Sequence, residues 1–206
     1  MKSKKLMKCL MMITILFMSI SLMSETVAQP PSNYETEGAG TENNPFLISN
    51  LANLRWLSET KKYWGSPAFN NGHFLPYYFL QTANINASET KEWNEGGGFK
   101  SIGTPSMYGA AGLETEFTGH YNGNGFIISD LYLDYKDRTV LGLFGVIYRS
   151  SIKNVRLVDI NISMAIDTPF ATYTIGTIVG HAEDSTITAS SVTGKISIDN
   201  LIGEQV

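Results

Sequence analysis

The stretch that decides the fold runs Gly142-Leu143-Phe144-Gly145 and then Ile152-Lys153-Asn154-Val155-Arg156-Leu157. Moved on by 35 residues, its glycine end meets Thr177-Ile178-Val179-Gly180, with Ile187 and Val192 following. A second echo, offset by 24, matches Ile128, Asp130, Leu131 and Leu133 to Ile152, Asn154, Val155 and Leu157. The agreement covers strand-type apolar positions and the glycine after them; Ser190 breaks it. Short β-rich units cannot hold a core singly, but they become stable when stacked. Each coil then lays its strands about 4.8 Å above the last. Inward Ile, Leu and Val form ladders, and glycines occupy the corners. The pattern therefore predicts an all-β stacked solenoid, against the alternative of an antiparallel sandwich with accidental similarity. The offset of 24 places Ile152, Val155 and Leu157 above Ile128, Leu131 and Leu133. The offset of 35 places Ile187 and Val192 above Ile152 and Leu157.

Upstream of the repeats, one segment reads as a helix. Leu51, Leu54 and Leu57 recur at helical spacing, Ser49 or Asn50 supplies an N-cap, and Trp64, Gly65 and Pro67 mark the end. This helix is expected to cap the first coil. Tyr77 to Ile85 is strand-like, and Gly96-Gly97-Gly98 and Asn122-Gly123-Asn124-Gly125 read as turns. Nothing comparable to the helix follows Asp199-Asn200-Leu201-Ile202-Gly203, so residues 46–206 are expected either to be truncated or to self-associate through the C-terminal coil.

The 206-residue chain opens with Lys2, Lys4, Lys5 and Lys8, then an apolar run from Cys9 to Met23. As a helix that run would span roughly 22 Å at ~1.5 Å per residue, short of the ~30 Å hydrocarbon core. With Ala28 as the small residue before a cut, residues 1–28 read as a signal peptide and Gln29 as the exported start. An uncleaved anchor is the rival reading. Removing residues 1–28 takes away the one cysteine, four lysines and one glutamate, so the net charge moves from −4 to −7. A cysteine-free acidic domain has no electrostatic affinity for nucleic acid or anionic membrane, and no membrane span is expected after cleavage. Pro30, Pro31, Ser32 and Gly38 to Gly40 make residues 29–45 look like a flexible lead-in.

The combination resembles the GLUG repeat of bacterial surface proteins. The likeness rests on Gly142-Leu143-Phe144-Gly145 with Ile152-Lys153-Asn154-Val155, the lead-in Gly40-Thr41-Glu42-Asn43-Asn44-Pro45-Phe46-Leu47-Ile48-Ser49, and Tyr78-Phe79. It also includes Phe99-Lys100-Ser101-Ile102-Gly103 and Phe117-Thr118-Gly119 running to Gly123-Asn124-Gly125, and so covers about residues 40–198. Thr177 stands where the second repeat would have its first glycine, and Asn84 and Asn86 stand where relatives often carry aspartates, which weakens any calcium site there. The resemblance implies a right-handed parallel β-helix with an N-terminal helical cap, exported to the cell surface or beyond. Such repeats also occur in adhesin-like proteins and beside the catalytic domain of immunoglobulin-A1 metallopeptidases.

Chemistry-bearing patterns are sparse. His73, His120 and His181 are isolated, and no His-Glu-x-x-His occurs, so neither metal nor cofactor is expected. Glu114 with Glu116, and Asp134 with Asp137 beside Lys136 and Arg138, are the carboxylate pairs a glycosidase reading would use; both sit by turns where charges are usually solvated. At the offset of 24, Asp130 falls beside Asn154, so no carboxylate ladder is expected. Exposed rings stack on sugars, which makes Trp64, Tyr77, Trp93 and Tyr108 the candidate platform, unless they pack the cap. The expected role is a non-catalytic surface module for adhesion or ligand presentation, with host or matrix glycans or proteins as partners. The alternatives are a polysaccharide-acting β-helix enzyme and an N-terminal piece of a larger protease or adhesin.

Overall fold

The computed structural model describes residues 25–65, 69–70, 73–74, 76–105, 115–135, 140–166 and 174–200. The expected signal peptide lies outside the described residues as far as position 24. The chain is mostly β, with parallel sheets and one short helix. Among the described residues no helix is long and apolar enough to cross a membrane.

Sixteen strands are described. They are β1 (Phe46–Ile48), β2 (Phe69–Asn70), β3 (His73–Phe74), β4 (Tyr78–Gln81), β5 (Ile85–Asn86), β6 (His120–Asn122), β7 (Ile127–Ser129) and β8 (Tyr132–Tyr135). There follow β9 (Val140–Leu141), β10 (Phe144–Tyr148), β11 (Ser151–Lys153), β12 (Arg156–Ile166), β13 (Thr174–Ile175), β14 (Val179–Glu183), β15 (Thr186–Thr188) and β16 (Ser191–Asn200). The helix α1 spans Leu51–Glu59.

One sheet runs in the order β1-β4-β6-β11-β15 and a second in the order β5-β7-β12-β16, with β8 also on β12. All these pairings are parallel. A third stack sets Ile102 beside Phe144 and Phe144 beside Val179. β2 and β3 pair antiparallel. The sheets advance together along the chain: β4 and β5 are followed by β6 and β7, and β11 and β12 by β15 and β16.

The core is a set of ladders. In the first sheet Phe46, Phe79, Tyr121, Ile152 and Ile187 lie side by side, and the first four are buried. In the second, Ile85, Ile128, Leu157 and Val192 align, as do Leu133, Ile162 and Ile196. Each fully buried aliphatic or phenyl side chain contributes about 1.5–3 kcal/mol of transfer free energy. The glycines of the motif permit the close approach. A Cβ on Gly145 would strike the carbonyl of Gly103, and one on Gly180 would lie 2.7 Å from the Leu141 oxygen.

The offset of 35 holds: Phe144 pairs with Val179, Ile152 with Ile187 and Leu157 with Val192. The offset of 24 does not. Ile152 lies beside Tyr121, and Ile128 beside Leu157. The similarity that prompted it is real but belongs to corners. Asp130, Asn154 and Asp159 each turn the chain with positive φ, of 58°, 56° and 55°, between two inward apolar residues. Asn and Asp tolerate this left-handed conformation better than most residues. The same corner pattern serves two different edges of the coil, so matching one to the other misreads the stacking.

At the N-terminal end, Asn50 caps α1 by accepting a hydrogen bond from the Asn53 backbone N–H. The helix ends at Glu59, earlier than the Trp64 boundary expected from sequence. The Thr60 N–H returns to the Trp56 carbonyl and a 3-10 turn, Lys61–Tyr63, follows. That turn carries Trp64 into the core, where its Nε1 donates to the Leu57 carbonyl at 2.6 Å. Residues 29–45, expected as a flexible lead-in, run as turns laid against α1. The buried Asn53 amide donates to the Gln29 and Pro30 carbonyls, and Tyr34 packs edge-on to Trp56 and Tyr63. Glu25 and Thr26, upstream of the expected cut, reach Arg55 at 2.9 Å and Glu89 respectively.

Candidate functional site

Parallel register places outward side chains in rows as regularly as inward ones. On the outer face of the first sheet, Tyr78, His120 and Ser151 form one row, and Leu80, Asn122 and Lys153 the next. With Glu42 and Pro45 they line a groove of about 430 Å³. Tyr78 and His120 hold ring centroids 4.8 Å apart at 58°. His120 is half-buried, and its Nδ1 has no hydrogen-bond partner. Burial pushes the imidazole below its ordinary pKa, with Lys153 adding to the shift and Glu42 opposing it. Burial, helped by Glu42, pushes the Tyr78 hydroxyl up. The groove thus offers a ring, a neutral imidazole, an amide and an ammonium within two rows, with the Glu42 carboxylate beside them.

A second cleft, about 560 Å³, lies along the other sheet and is lined by Lys91, Asp130, Tyr132, Asp159, Asn161 and Lys195 among others. Asp130 and Asp159 occupy equivalent corners of adjacent coils, because Ser129 pairs with Val158. This corrects the expectation that no carboxylate ladder exists. The error followed from the offset of 24, which set Asp130 against Asn154.

Two of the four rings expected from sequence as a platform, Trp64 and Trp93, are not at the surface. Trp64 and Trp93 are 2% and 1% exposed. Trp93 has the Arg55 guanidinium 4.4 Å from its ring centre, and its Nε1 donates to Glu89. Tyr77 is half-buried, edge-on to Tyr63 at 5.0 Å. Tyr108 lies outside the described residues, as do Glu114 and residues 136–139. Large rings fill the irregular space between cap and first coil, which removes their faces from ligands. Asp134 accepts a hydrogen bond from the Tyr132 hydroxyl at 2.9 Å. The motif residues Gly142, Leu143, Phe144, Gly145, Thr177, Ile178, Val179 and Gly180 serve packing: Leu143 and Phe144 are buried, and their N–H groups donate to Thr177 and Ile178. No group of three or more His, Cys, Asp or Glu side chains suited to a metal occurs among the described residues.

His120 was set aside in the sequence as an isolated histidine. Its neighbours Tyr78 and Ser151 stand 42 and 31 residues away, and no single period predicts both.

The chain is similar to short parts of two much longer proteins. Halomucin of Haloquadratum walsbyi is 32% identical over 169 residues, covering 81% of this chain and 2% of halomucin. A putative Gly-rich membrane protein of Evansella cellulosilytica is 30% identical over 147 residues, covering 70% of this chain and 14% of that protein. No family model matches the chain, and no solved structure matches it.

Proposed function

We propose that the chain is an exported, right-handed parallel β-helix module of the GLUG type that binds sugar at the Tyr78–His120 groove. The observation that carries the reading is the groove itself, where a ring face and hydrogen-bonding side chains share two rows of a parallel sheet. Sugars are held in this way, by stacking on one ring and by several polar contacts around it. The joint advance of the parallel sheets supports the β-helix, and the Gly142–Gly145 motif supports the GLUG kinship. Export rests on the basic leader and its apolar run, and agrees with the name of the Evansella relative. Gel-retardation against a panel of soluble polysaccharides tests the binding. Tyr78→Ala should weaken any interaction about tenfold. Equal retardation of the wild type and Tyr78→Ala, or none at all, would overturn the groove as the site.

Asp130 and Asp159 favour a second reading, an enzyme cleaving polysaccharide in the other cleft, since they line it from adjacent coils and glycoside hydrolysis uses a pair of carboxylates. Release of reducing ends from the same panel, abolished by Asp130→Asn and by Asp159→Asn, would establish it.

A further inference from the structure

The second row of the Tyr78–His120 groove contains two neighbouring side chains with donors to spare and no acceptor. Lys153 of β11 lies beside Asn122 of β6, one strand spacing of about 4.8 Å away. The Asn122 Oδ1 is already taken: it accepts from the Asn124 backbone N–H and from the Asn154 amide, each at 2.9 Å. Those two bonds fix the side chain and leave its Nδ2 without a hydrogen-bond partner among the described residues. Lys153 makes no ion pair among the described residues. A sugar hydroxyl both donates and accepts, so two donors side by side are better matched by an anion. A planar carboxylate meets both at once. Glu42, the carboxylate that lines the groove, stands toward its other side, ahead of β1, whereas β11 lies three strands along the order β1-β4-β6-β11.

We propose that the groove selects acidic oligosaccharides, holding the carboxylate of a uronate residue between Lys153 Nζ and Asn122 Nδ2 while the Tyr78 ring packs on a neighbouring sugar. This rests on the reading of the groove as a sugar site and adds which sugar it takes. Tyr78 and Lys153 stand two strand spacings apart, about 10 Å, so a chain of sugars spans them better than a single residue does. Between them the His120 Nδ1, buried and without a partner, is met by a hydroxyl, which can supply either half of a hydrogen bond. The chain as a whole is acidic, but at physiological salt charges beyond about 8 Å are screened, and within that range of the Asn122 amide the Lys153 ammonium dominates.

Affinity electrophoresis of the purified chain in gels containing polygalacturonate or its methyl ester tests this, because esterification removes the charge and keeps the backbone. The wild type should bind the acid about tenfold more tightly than the ester. Lys153→Gln should lose that preference while holding the ester as before, and Lys153→Arg should keep it. Tyr78→Ala should weaken both interactions. Circular dichroism matching the wild type confirms that the variants fold. Acid and ester bound equally by the wild type, or a Lys153→Gln that keeps the preference, would overturn the uronate assignment and leave the groove standing as a sugar site. Retention of neither polymer, or a Tyr78→Ala that binds both like the wild type, would remove the groove reading and this inference with it. Dextran sulfate held as tightly as polygalacturonate would reveal a site for any polyanion and overturn the assignment to a sugar carboxylate.

Discussion

At its first rung the leading ladder is roofed: Phe46 lies under the rings of Tyr34, Trp56 and Tyr63, 5.2 to 6.1 Å away between centroids. At its last rung Ile187 stands 45% exposed. The residue type changes with the position, from Phe and Tyr near the cap to Ile toward the last described rung. Near the cap, a helix and a run of turns meet a sheet at an irregular angle, and large rings fill such space. Between coils the spacing is regular, and branched aliphatics fit it rung on rung. The two ends therefore differ in how much each side chain has to lose. Burial, and not chemical type alone, should set the cost of a substitution.

The sharpest way to break this comparison is to place one charge at two heights of the same ladder. Ile152→Asp buries an unpaired carboxylate between Tyr121 and Ile187 and should cost several kcal/mol or abolish folding. Ile187→Asp, one rung on, should cost about 1 kcal/mol or less. Urea unfolding of both would show it, and equal losses would mean that the last rung is covered in solution. A milder version compares the ends directly. Phe46→Ala should cost about 3–5 kcal/mol, because five rings besides its own would line the void, and Val192→Ala less than about 1 kcal/mol.

Next in size is the bond between the cap and the turns before it. Asn53→Leu strands the Gln29 and Pro30 carbonyls that its amide now satisfies, and should cost about 1–3 kcal/mol. Faster proteolysis before residue 45 in that variant would locate the loss; unchanged cleavage and stability would show that residues 29–45 are not held by this contact.

The smallest effect is electrostatic and lies midway between the ends. His120 titrates below its ordinary value, first because it is buried. Its unfolded form, near pH ~6.5, takes up a proton before the folded one does. His120 therefore takes nothing from stability above that pH and progressively destabilises the fold as pH falls through it. His120→Gln should flatten this part of the pH–stability curve. An NMR titration placing the folded imidazole above pH ~6.5 would reverse the sign.

Local features were legible in the sequence because they depend on a few adjacent residues. The Asn50 cap, the glycine turns and the Leu-Phe-Gly close approach all follow from backbone preferences and side-chain size. So do the corners at Asp130, Asn154 and Asp159, although the repeat pattern assigns corners to glycines, and Ala189, 35 residues beyond Asn154, also holds positive φ. Which corner lies over which is another matter. The register advances 31 residues from Tyr121 to Ile152, 29 from Ile128 to Leu157 and 35 from Ile152 to Ile187. Coils of unequal length share no single period: the offset of 35 reads the last coil correctly, but a corner motif used on two edges of the coil matches itself in the wrong place at 24. Ladder pairing is settled by long-range burial, and so is everything that depends on it. Stacking alone brings Tyr78 to His120 and Asp130 to Asp159, and turns Trp64 and Trp93 from candidate sugar platforms into core. The residues and their corners were determined along the chain; the rows and grooves they make were decided only when the coils closed on one another.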